Sequence, residues 1–213
     1  RDKNIVASVT GNSSTTFGVT GSAALQMDIN DKLASVLPTY LGIVVGLSFI
    51  LLVIVFRSLL IPLKATLGFL LSVGAMFGAM VVVFQWGWFG ISDAPGPIVS
   101  FLPIIAIGVL FGLAMDYEFF LVSSIHEEYE RTHDAQEAVI NGYTIGSRVV
   151  FAAAVIMVSV FAGFISNKDQ IIQSMGFGLA VGIFVDAFIV RLLVVPSIMS
   201  LIGRAAWWMP KRL

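Results

Sequence analysis

Residues 98–125 read IVSFLPIIAIGVLFGLAMDYEFFLVSSI, an apolar stretch in which Asp116 and Glu118 carry the only charges. About 20 predominantly apolar residues are enough for a helix to cross a bilayer. Because backbone groups in lipid must be hydrogen-bonded internally, a segment of this length and composition predicts a transmembrane α-helix. The stretch therefore indicates a membrane protein that carries carboxyl groups at bilayer depth.

Four further apolar segments accompany this one along the chain. The five predicted helices, numbered one to five, are Thr39–Phe56, Ala65–Trp86, Ile98–Ile125, Gly142–Ile165 and Ile171–Gly203. Hydrophobic residues make up 58% of the 213 residues, charged residues only 12%, and the mean hydropathy is +0.96. No segment shows the period-two alternation of an outer-membrane barrel strand. The predicted fold class is an all-α membrane protein.

Composition also excludes several kinds of chemistry. The formal net charge of −1 offers no basic excess for a nucleic-acid partner. The chain has no cysteine, which excludes thiol nucleophiles and cysteine-ligated metals. His126 and His133 lie near several carboxylates but lack a tight ligand motif, and no phosphate-binding glycine-rich loop precedes a lysine. We therefore expect no metal, no cofactor and no enzymatic activity.

The chain divides into three predicted parts. Residues 1–37 are interpreted as the end of an extracytoplasmic domain, residues 38–203 as the five-helix bundle, and residues 204–213 as a tail. Within the first part, TTFGVTG at 15–21 predicts a short strand and 22–36 a helix, which together form a small α/β remnant. Because the chain opens at Arg1 without a start or signal pattern, we interpret it as a piece of a longer polypeptide.

Lysine and arginine are unevenly distributed among the segments that join the predicted helices. Those expected on the cytoplasmic side are Arg57, Lys64, Arg131, Arg204, Lys211 and Arg212. The 87–97 loop has no lysine or arginine, and the 167–170 loop has only Lys168. By the positive-inside rule, the N-terminal segment is outside and the C-terminus inside. Tryptophans expected at the two interfaces are Trp86, Trp88, Trp207 and Trp208.

Glycines recur every four residues in all five predicted helices. The pairs are Gly42 and Gly46, Gly74 and Gly78, Gly108 and Gly112, Gly142 and Gly146, and Gly178 and Gly182. Small residues one turn apart let helix backbones approach closely, which predicts a compact bundle. Two pairs continue, one turn later, to an aspartate: Gly108 and Gly112 to Asp116, Gly178 and Gly182 to Asp186. Each carboxyl therefore lies on a glycine stripe where another helix is expected to pack.

A carboxylate at bilayer depth costs about 2.5 to 3.5 kcal/mol on insertion scales, so such residues usually face a bundle interior or exchange a proton. Burial and a nearby arginine shift the proton affinity of a carboxyl in opposite directions, which suits a proton relay. Asp116 is the principal candidate, and the hydroxyl of the adjacent Tyr117 can donate and accept. Asp186 is a second candidate. Packing through a neutral aspartic acid remains the alternative interpretation.

Three other charged residues are candidate members of charge pairs: Arg191 and Arg148 with an acid, and Glu118 with an arginine or with the partner half. Arg191 lies too deep in predicted helix five to reach the interface easily, so it is expected to neutralise a buried acid. Five residues turn an α-helix by about 140° beyond a full turn, which predicts that Arg191 reaches its partner across helices and not on its own. Glu118 and Arg148 are also candidate charge partners, although Arg148 lies close enough to a helix end to extend to the interface.

The stretch GLAMDYEFFLVSSIHEEY at 112–129 resembles the second transmembrane half of the mycobacterial membrane protein large (MMPL) family of the resistance-nodulation-division (RND) superfamily. Four other stretches share the resemblance: FRSLLIPLKA (56–65), FQWGW (84–88), FGLAVGIFVDAFIVRLLVVPSIM (177–199) and WWMP (207–210). One departure is Ser124, where many relatives have arginine. The resemblance covers nearly the whole chain.

What the resemblance implies is more specific than what composition implies. It makes the five helices the eighth to twelfth of a 12-helix RND-type transporter in the plasma membrane. The implied function is proton-driven export of lipids or other amphiphiles, with an N-terminal half and porter domains as partners. By residue, it implies a relay role for Asp116 and Tyr117 and a supporting role for Asp186 and Arg191.

Two other classes of function remain open from the sequence. Two intramembrane aspartates can share a proton, as in an aspartyl protease, but no GxGD motif surrounds Asp186 and Tyr117 follows Asp116 instead of preceding it. A membrane scaffold that uses its polar residues only for packing would tolerate replacement of Asp116 by asparagine.

Overall fold

The computed structural model describes residues 22–56, 58–91, 96 and 98–202. Within these ranges all regular secondary structure is helical, and five helices are long and apolar enough to cross a membrane, which confirms the predicted number. The strand predicted at 15–21 and the predicted tail lie outside the described residues.

Four of the five long helices are almost entirely α-helical. They are α1 (Ser22–Phe56), α2 (Leu60–Met80, followed by a π-helical turn over Val81–Gln85), α3 (Leu102–Thr132) and α4 (Ala135–Gly163). The fifth, α5, is α-helical over Gln170–Phe184, π-helical over Val185–Val194 and α-helical again over Val195–Ile202. Short 3-10 turns at Trp88–Gly90 and Phe164–Ser166 follow α2 and α4.

Helix α1 corrects one predicted boundary. The sequence predicts separate helices over 22–36 and from Thr39 onward, yet α1 passes through Pro38 without ending. A proline inside a helix removes one backbone hydrogen bond and crowds the preceding turn, which can bend a helix without terminating it. The predicted division between residues 37 and 38 therefore falls inside one continuous helix.

The turn between α3 and α4 corrects another boundary. Instead of a loop over 126–141, only two residues separate these helices. His133 ends α3 in a left-handed conformation with φ of 51°. The side chain of Asp134 caps α4 by accepting from the backbone N–H groups of Gln136 at 2.8 Å and Glu137 at 3.2 Å. Hydropathy locates the apolar segment only, so polar turns at either end of a helix are missed.

Helix α5 lies at the centre of the described structure, whereas α1 and α4 are the most exposed of the long helices. The α-helical start of α5 packs against α2, α3 and α4. Its core contacts include Met76 and Met80 of α2 and Leu110 of α3, which are buried together with Leu179 and Ile183 of α5. This arrangement places Asp186 and Arg191 at the middle of the bundle.

Candidate functional site

A group of buried charged side chains joins three helices. Arg191 of α5 donates from Nε to Oδ2 of Asp186 at 2.7 Å and from Nη1 to Oε2 of Glu118 on α3 at 2.6 Å. Glu118 and Asp186 are 1% exposed and Arg191 is 2% exposed. Two side chains of α2, Ser72 and Lys64, complete this group, which we call the buried ion cluster. One guanidinium thus bridges two carboxylates that lie on different helices.

The contact between Arg191 and Asp186 corrects the expectation that the two residues lie on different faces of their helix. Residues 185–194 are π-helical, with each N–H bonded to the carbonyl five residues earlier, so residues five apart lie one above the other. Tyr143 of α4 donates its hydroxyl to the carbonyl of Leu192 at 2.7 Å, within this π segment. Arg191 therefore contacts an acid on its own helix as well as Glu118 across helices.

Helix α2 contributes two polar groups to the buried ion cluster. The hydroxyl of Ser72 lies 3.2 Å from Oδ1 of Asp186 and 3.0 Å from the carbonyl of Gly68. The ammonium of Lys64 lies 3.8 Å from Oε1 of Glu118. Its side chain is only 7% exposed, because α2 begins at Leu60 and carries Lys64 into the bundle. Lys64 was expected merely to mark the cytoplasmic side, so its burial is a second correction.

The sequence did contain a signal for this role of α2. Lys64, Gly68 and Ser72 recur every four residues, which places them on one face of a helix. Gly68 faces Val190 of α5, and the Cγ1 of Val190 occupies the space that a Cβ at position 68 would need. A stripe with a small residue at its centre and polar residues at its ends was therefore present on α2 as well.

Asp116 lies apart from the buried ion cluster, on an exposed face of α3. Among the described residues, none forms a hydrogen bond or an ion pair with it. Gly112 has nothing within 4 Å of the position of a Cβ, and Gly108 has only the hydroxyl of Tyr40, at 2.8 Å. At Gly112 and Asp116, the close approach of another helix that was expected along this stripe is not made by the described part of the chain.

The equivalent stripe on α5 is packed. Gly178 lies against the side chain of Met80, and a Cβ at Gly182 would meet side-chain atoms of Leu110 and Met76 at 3.2 to 3.3 Å. The stripe therefore runs along the contact of α5 with α2 and α3 and leads to Asp186 within the buried ion cluster.

Tyr117 connects the two regions. Its side chain is 8% exposed, and its hydroxyl has no hydrogen-bond partner among the described residues. Tyr117 interacts electrostatically with Asp186, Arg191 and Asp116. The phenol thus interacts both with an exposed acid and with a buried, ion-paired one.

Arg148 does not join the buried ion cluster. It is exposed on α4 and lines a shallow cavity of about 330 Å³ together with Tyr143 and Phe151. No described acidic side chain forms an ion pair with it. Its expected role as a charge partner is therefore not seen in this part of the protein.

The arrangement does not resemble an aspartyl dyad. Oδ2 of Asp186 accepts from Arg191 and Oδ1 lies within hydrogen-bond distance of Ser72, while Asp116 is exposed. A dyad needs two carboxyls that share one proton at contact distance. Among the described residues, no group of three or more His, Asp or Glu side chains is arranged to hold a metal ion.

An apolar cavity of about 390 Å³ lies at the opposite end of the bundle from Lys64. Leu33 and Leu37 of α1, Phe77 of α2 and Ile98 form part of its apolar lining. A hydrogen bond of 2.5 Å from the hydroxyl of Ser100 to Oδ1 of Asn30 ties α1 to the segment before α3 at this cavity. Its size and lining suit an alkyl chain better than a polar solute.

The MMPL family model matches residues 1–213. Among curated relatives, the membrane protein YdfJ of Bacillus subtilis is 48% identical over 91% of this chain and 27% of its own length. The mycolic acid-containing lipids exporter MmpL11 of Mycolicibacterium smegmatis is 36% identical over 92% of the chain and 21% of its own length. The trehalose monomycolate exporter MmpL3 of Mycobacterium tuberculosis is 33% identical over 91% of the chain and 21% of its own length. The chain thus spans about a quarter of the length of these relatives.

Proposed function

Because the chain belongs to the MMPL family, we propose that it forms the C-terminal transmembrane half of an exporter that uses the proton gradient to move lipids or other amphiphiles across the plasma membrane. The activity belongs to the whole protein, since this chain corresponds to 21% of the length of each of the two relatives named as lipid exporters. The proposed partners are an N-terminal transmembrane half and the porter domains. On this proposal the chain is one part of a transporter and not an enzyme.

One observation carries the proposal: an exposed acid, Asp116, adjoins a buried tyrosine that interacts with a buried, ion-paired acid. A carboxylate that faced lipid at this depth would cost at least about 2.5 to 3.5 kcal/mol. That cost favours a protein surface over Asp116. The N-terminal half is the proposed occupant, and the open space at Gly112 would let its helix approach closely.

The proposed relay has three parts. Asp116 takes up a proton and becomes neutral, which removes the cost of its charge at the interface between the halves. The hydroxyl of Tyr117, free of other described hydrogen bonds, can accept from the neutral acid or donate to the carboxylate. Asp186 is ion-paired with Arg191 and interacts electrostatically with the same phenol. Release of the proton from Asp116 on the other side of the membrane would complete the cycle.

The proton gradient supplies enough energy for this task. One charge that crosses 100 mV releases about 2.3 kcal/mol. A difference of one pH unit adds about 1.4 kcal/mol. Together these values exceed the lower estimate of the cost of exposing one carboxylate at bilayer depth, so a single proton is sufficient to reset the charge state of Asp116.

The class of substrate is proposed from the relatives and from the apolar cavity at the α1 and α2 end. Two relatives are named as exporters of mycolic acid-containing lipids and of trehalose monomycolate. The cavity of about 390 Å³ is lined mainly by apolar side chains and would accommodate part of an acyl chain. With residues 1–37 outside, as the distribution of lysine and arginine predicts, this cavity opens toward the outer leaflet.

The test is Asp116→Asn in the full-length protein, reconstituted in vesicles of total lipid extract with a trapped pH-sensitive dye. Asparagine keeps the shape and the hydrogen bonds of a neutral aspartic acid but cannot exchange a proton. We expect a folded, inserted protein whose gradient-driven proton flux falls to background. Asp134→Asn is the matched control, because asparagine also caps a helix and Asp134 is exposed at the turn before α4. Normal flux in Asp116→Asn would leave packing as the better explanation of this acid.

A further inference from the structure

The charges of the buried ion cluster balance only when Lys64 is counted. Glu118 and Asp186 supply two negative charges, and Arg191 supplies one positive charge. The fourth charge is the ammonium of Lys64, which lies 3.8 Å from the second oxygen of Glu118. A buried net charge is unfavourable because the surroundings cannot solvate it, so a neutral cluster of four is more stable than a cluster of three.

The geometry gives each oxygen of Glu118 a different cation. Oε2 accepts a short hydrogen bond from Nη1 of Arg191, at 2.6 Å. Oε1 faces Nζ of Lys64 at 3.8 Å, which is within ion-pair range but beyond a hydrogen bond. Both Oε1 and Nζ are fully buried and have no hydrogen-bond partner among the described residues. The contact is therefore an ion pair without a hydrogen bond.

The position of Lys64 is not explained by extension to the interface. A lysine one turn into a transmembrane helix ordinarily directs its ammonium to the lipid headgroups. Here the side chain is 7% exposed and the ammonium lies beside Glu118 of another helix. Ser72, two turns further along the same face of α2, contacts Asp186. Helix α2 therefore reaches both acids of the buried ion cluster, one at each end of its polar stripe.

We propose that Lys64 is a positioning residue of the buried ion cluster. Its ammonium balances Glu118, so that Arg191 is shared between Glu118 and Asp186 and not withdrawn to Glu118 alone. The position of Arg191 in turn fixes the charge that Tyr117 faces. This inference rests on the proposed function for its effect on transport, but the charge balance itself does not.

The experiment is a double-mutant cycle in the full-length protein, with Lys64→Met, Glu118→Gln and the double variant. Thermal unfolding in detergent reports the charge balance. We expect each single variant to lower the unfolding midpoint by at least about 3 °C. The decrease in the double variant should be clearly smaller than the sum of the two single decreases, because both members of the pair are removed together. Lys64→Arg keeps the charge and should restore most of the midpoint. Lys168→Met, an exposed lysine in a loop, is the matched control and should change nothing.

Proton flux in vesicles is the second readout. Lys64→Met should lower the gradient-driven flux by at least about tenfold, with partial recovery in the double variant and near-normal flux in Lys64→Arg. The proposal would be overturned if the decreases in the midpoint of the two single variants add up to that of the double variant, or if Lys64→Met has normal flux. If Lys64→Met does not accumulate, recovery of the double variant supports the pairing, and failure of both variants contradicts it. If the decreases in the midpoint of the Lys64 and Glu118 variants are not additive and Asp116→Asn has normal flux, the proposed relay is contradicted but the charge balance is still supported.

Discussion

Asp116 and Asp186 occupy the same place in two copies of one glycine pattern, yet Asp186 is buried against Arg191 while Asp116 is exposed. The difference lies in the position of their helices. Helix α5 lies at the centre of the described bundle, so its stripe meets α2 and α3. The stripe of α3 meets only the hydroxyl of Tyr40 of α1, at Gly108, and is exposed at Gly112 and Asp116. Of the two acids, only Asp116 is therefore placed to respond to a partner outside this chain.

The hydroxyl of Tyr117 should matter for transport and not for stability. Tyr117→Phe removes a buried hydroxyl that has no described hydrogen-bond partner, so the unfolding midpoint should stay the same or rise. Proton flux should fall by at least about tenfold if the relay passes through this hydroxyl. The measurement pairs thermal unfolding with flux in vesicles of the full-length protein.

Tyr143→Phe is the matched control for that variant. The Tyr143 hydroxyl donates to the carbonyl of Leu192 at 2.7 Å, so its removal should cost about 1 kcal/mol of stability. A stability loss in Tyr117→Phe as large as that in Tyr143→Phe would show that the Tyr117 hydroxyl is hydrogen-bonded and would contradict its assignment as a free relay group.

The two glycine stripes should respond differently to leucine. At Gly182 a Cβ already meets Leu110 and Met76 at 3.2 to 3.3 Å, so Gly182→Leu should prevent accumulation of folded protein. At Gly112 the described chain leaves open space, so Gly112→Leu should fold but interfere with the proposed packing of the N-terminal half.

The comparison of these variants uses membrane insertion levels, thermal unfolding and proton flux of the full-length protein. The expected result for Gly112→Leu is normal insertion with flux lowered by at least about tenfold. Wild-type flux in Gly112→Leu would show that no helix approaches this stripe, and the proposed position of the N-terminal half would then be wrong.

Membrane orientation is tested by single cysteines in a cysteine-free background. Glu130 near the end of α3 and Lys168 in the loop before α5 are both exposed, and they lie at opposite ends of the bundle. The distribution of lysine and arginine places Glu130 inside and Lys168 outside. An impermeant thiol reagent added to intact cells should therefore label Lys168→Cys and leave Glu130→Cys unlabelled. The reverse pattern would invert the proposed direction of the proton cycle.

The sequence predicts the number of membrane helices well because each is a long apolar segment. It predicts their ends less well, since the turns around His133 and Asp134 are polar and hydropathy does not detect them. Pro38 misleads for a different reason, because proline disfavours a helix without always ending it. Length and apolarity are local properties, and helix termini depend on capping and packing.

The candidate site, too, was predicted from the sequence only in part. That Arg191 neutralises a buried acid across helices follows from the cost of a charge at bilayer depth, and Glu118 is that acid in the structure. Its contact with Asp186 depends on π-helical geometry, which no periodicity of 3.6 residues can predict. Lys64 was expected on the cytoplasmic side because it lies between predicted helices one and two, whereas its burial depends on how α2 packs against α5 at Gly68.

The π segment of α5 joins two rows of buried residues that are out of phase by one position. Each row has a spacing of four, and the rows are separated by five residues: Gly178, Gly182 and Asp186, then Arg191, Val195 and Met199. In an uninterrupted α-helix, the five residues between the rows would turn the second row by about 140° relative to the first, and a single inserted or deleted residue would rotate it by about 100°. The number of residues between Asp186 and Arg191 is thus a constraint in its own right, so a length change there should be tolerated less well than most substitutions at the positions between them.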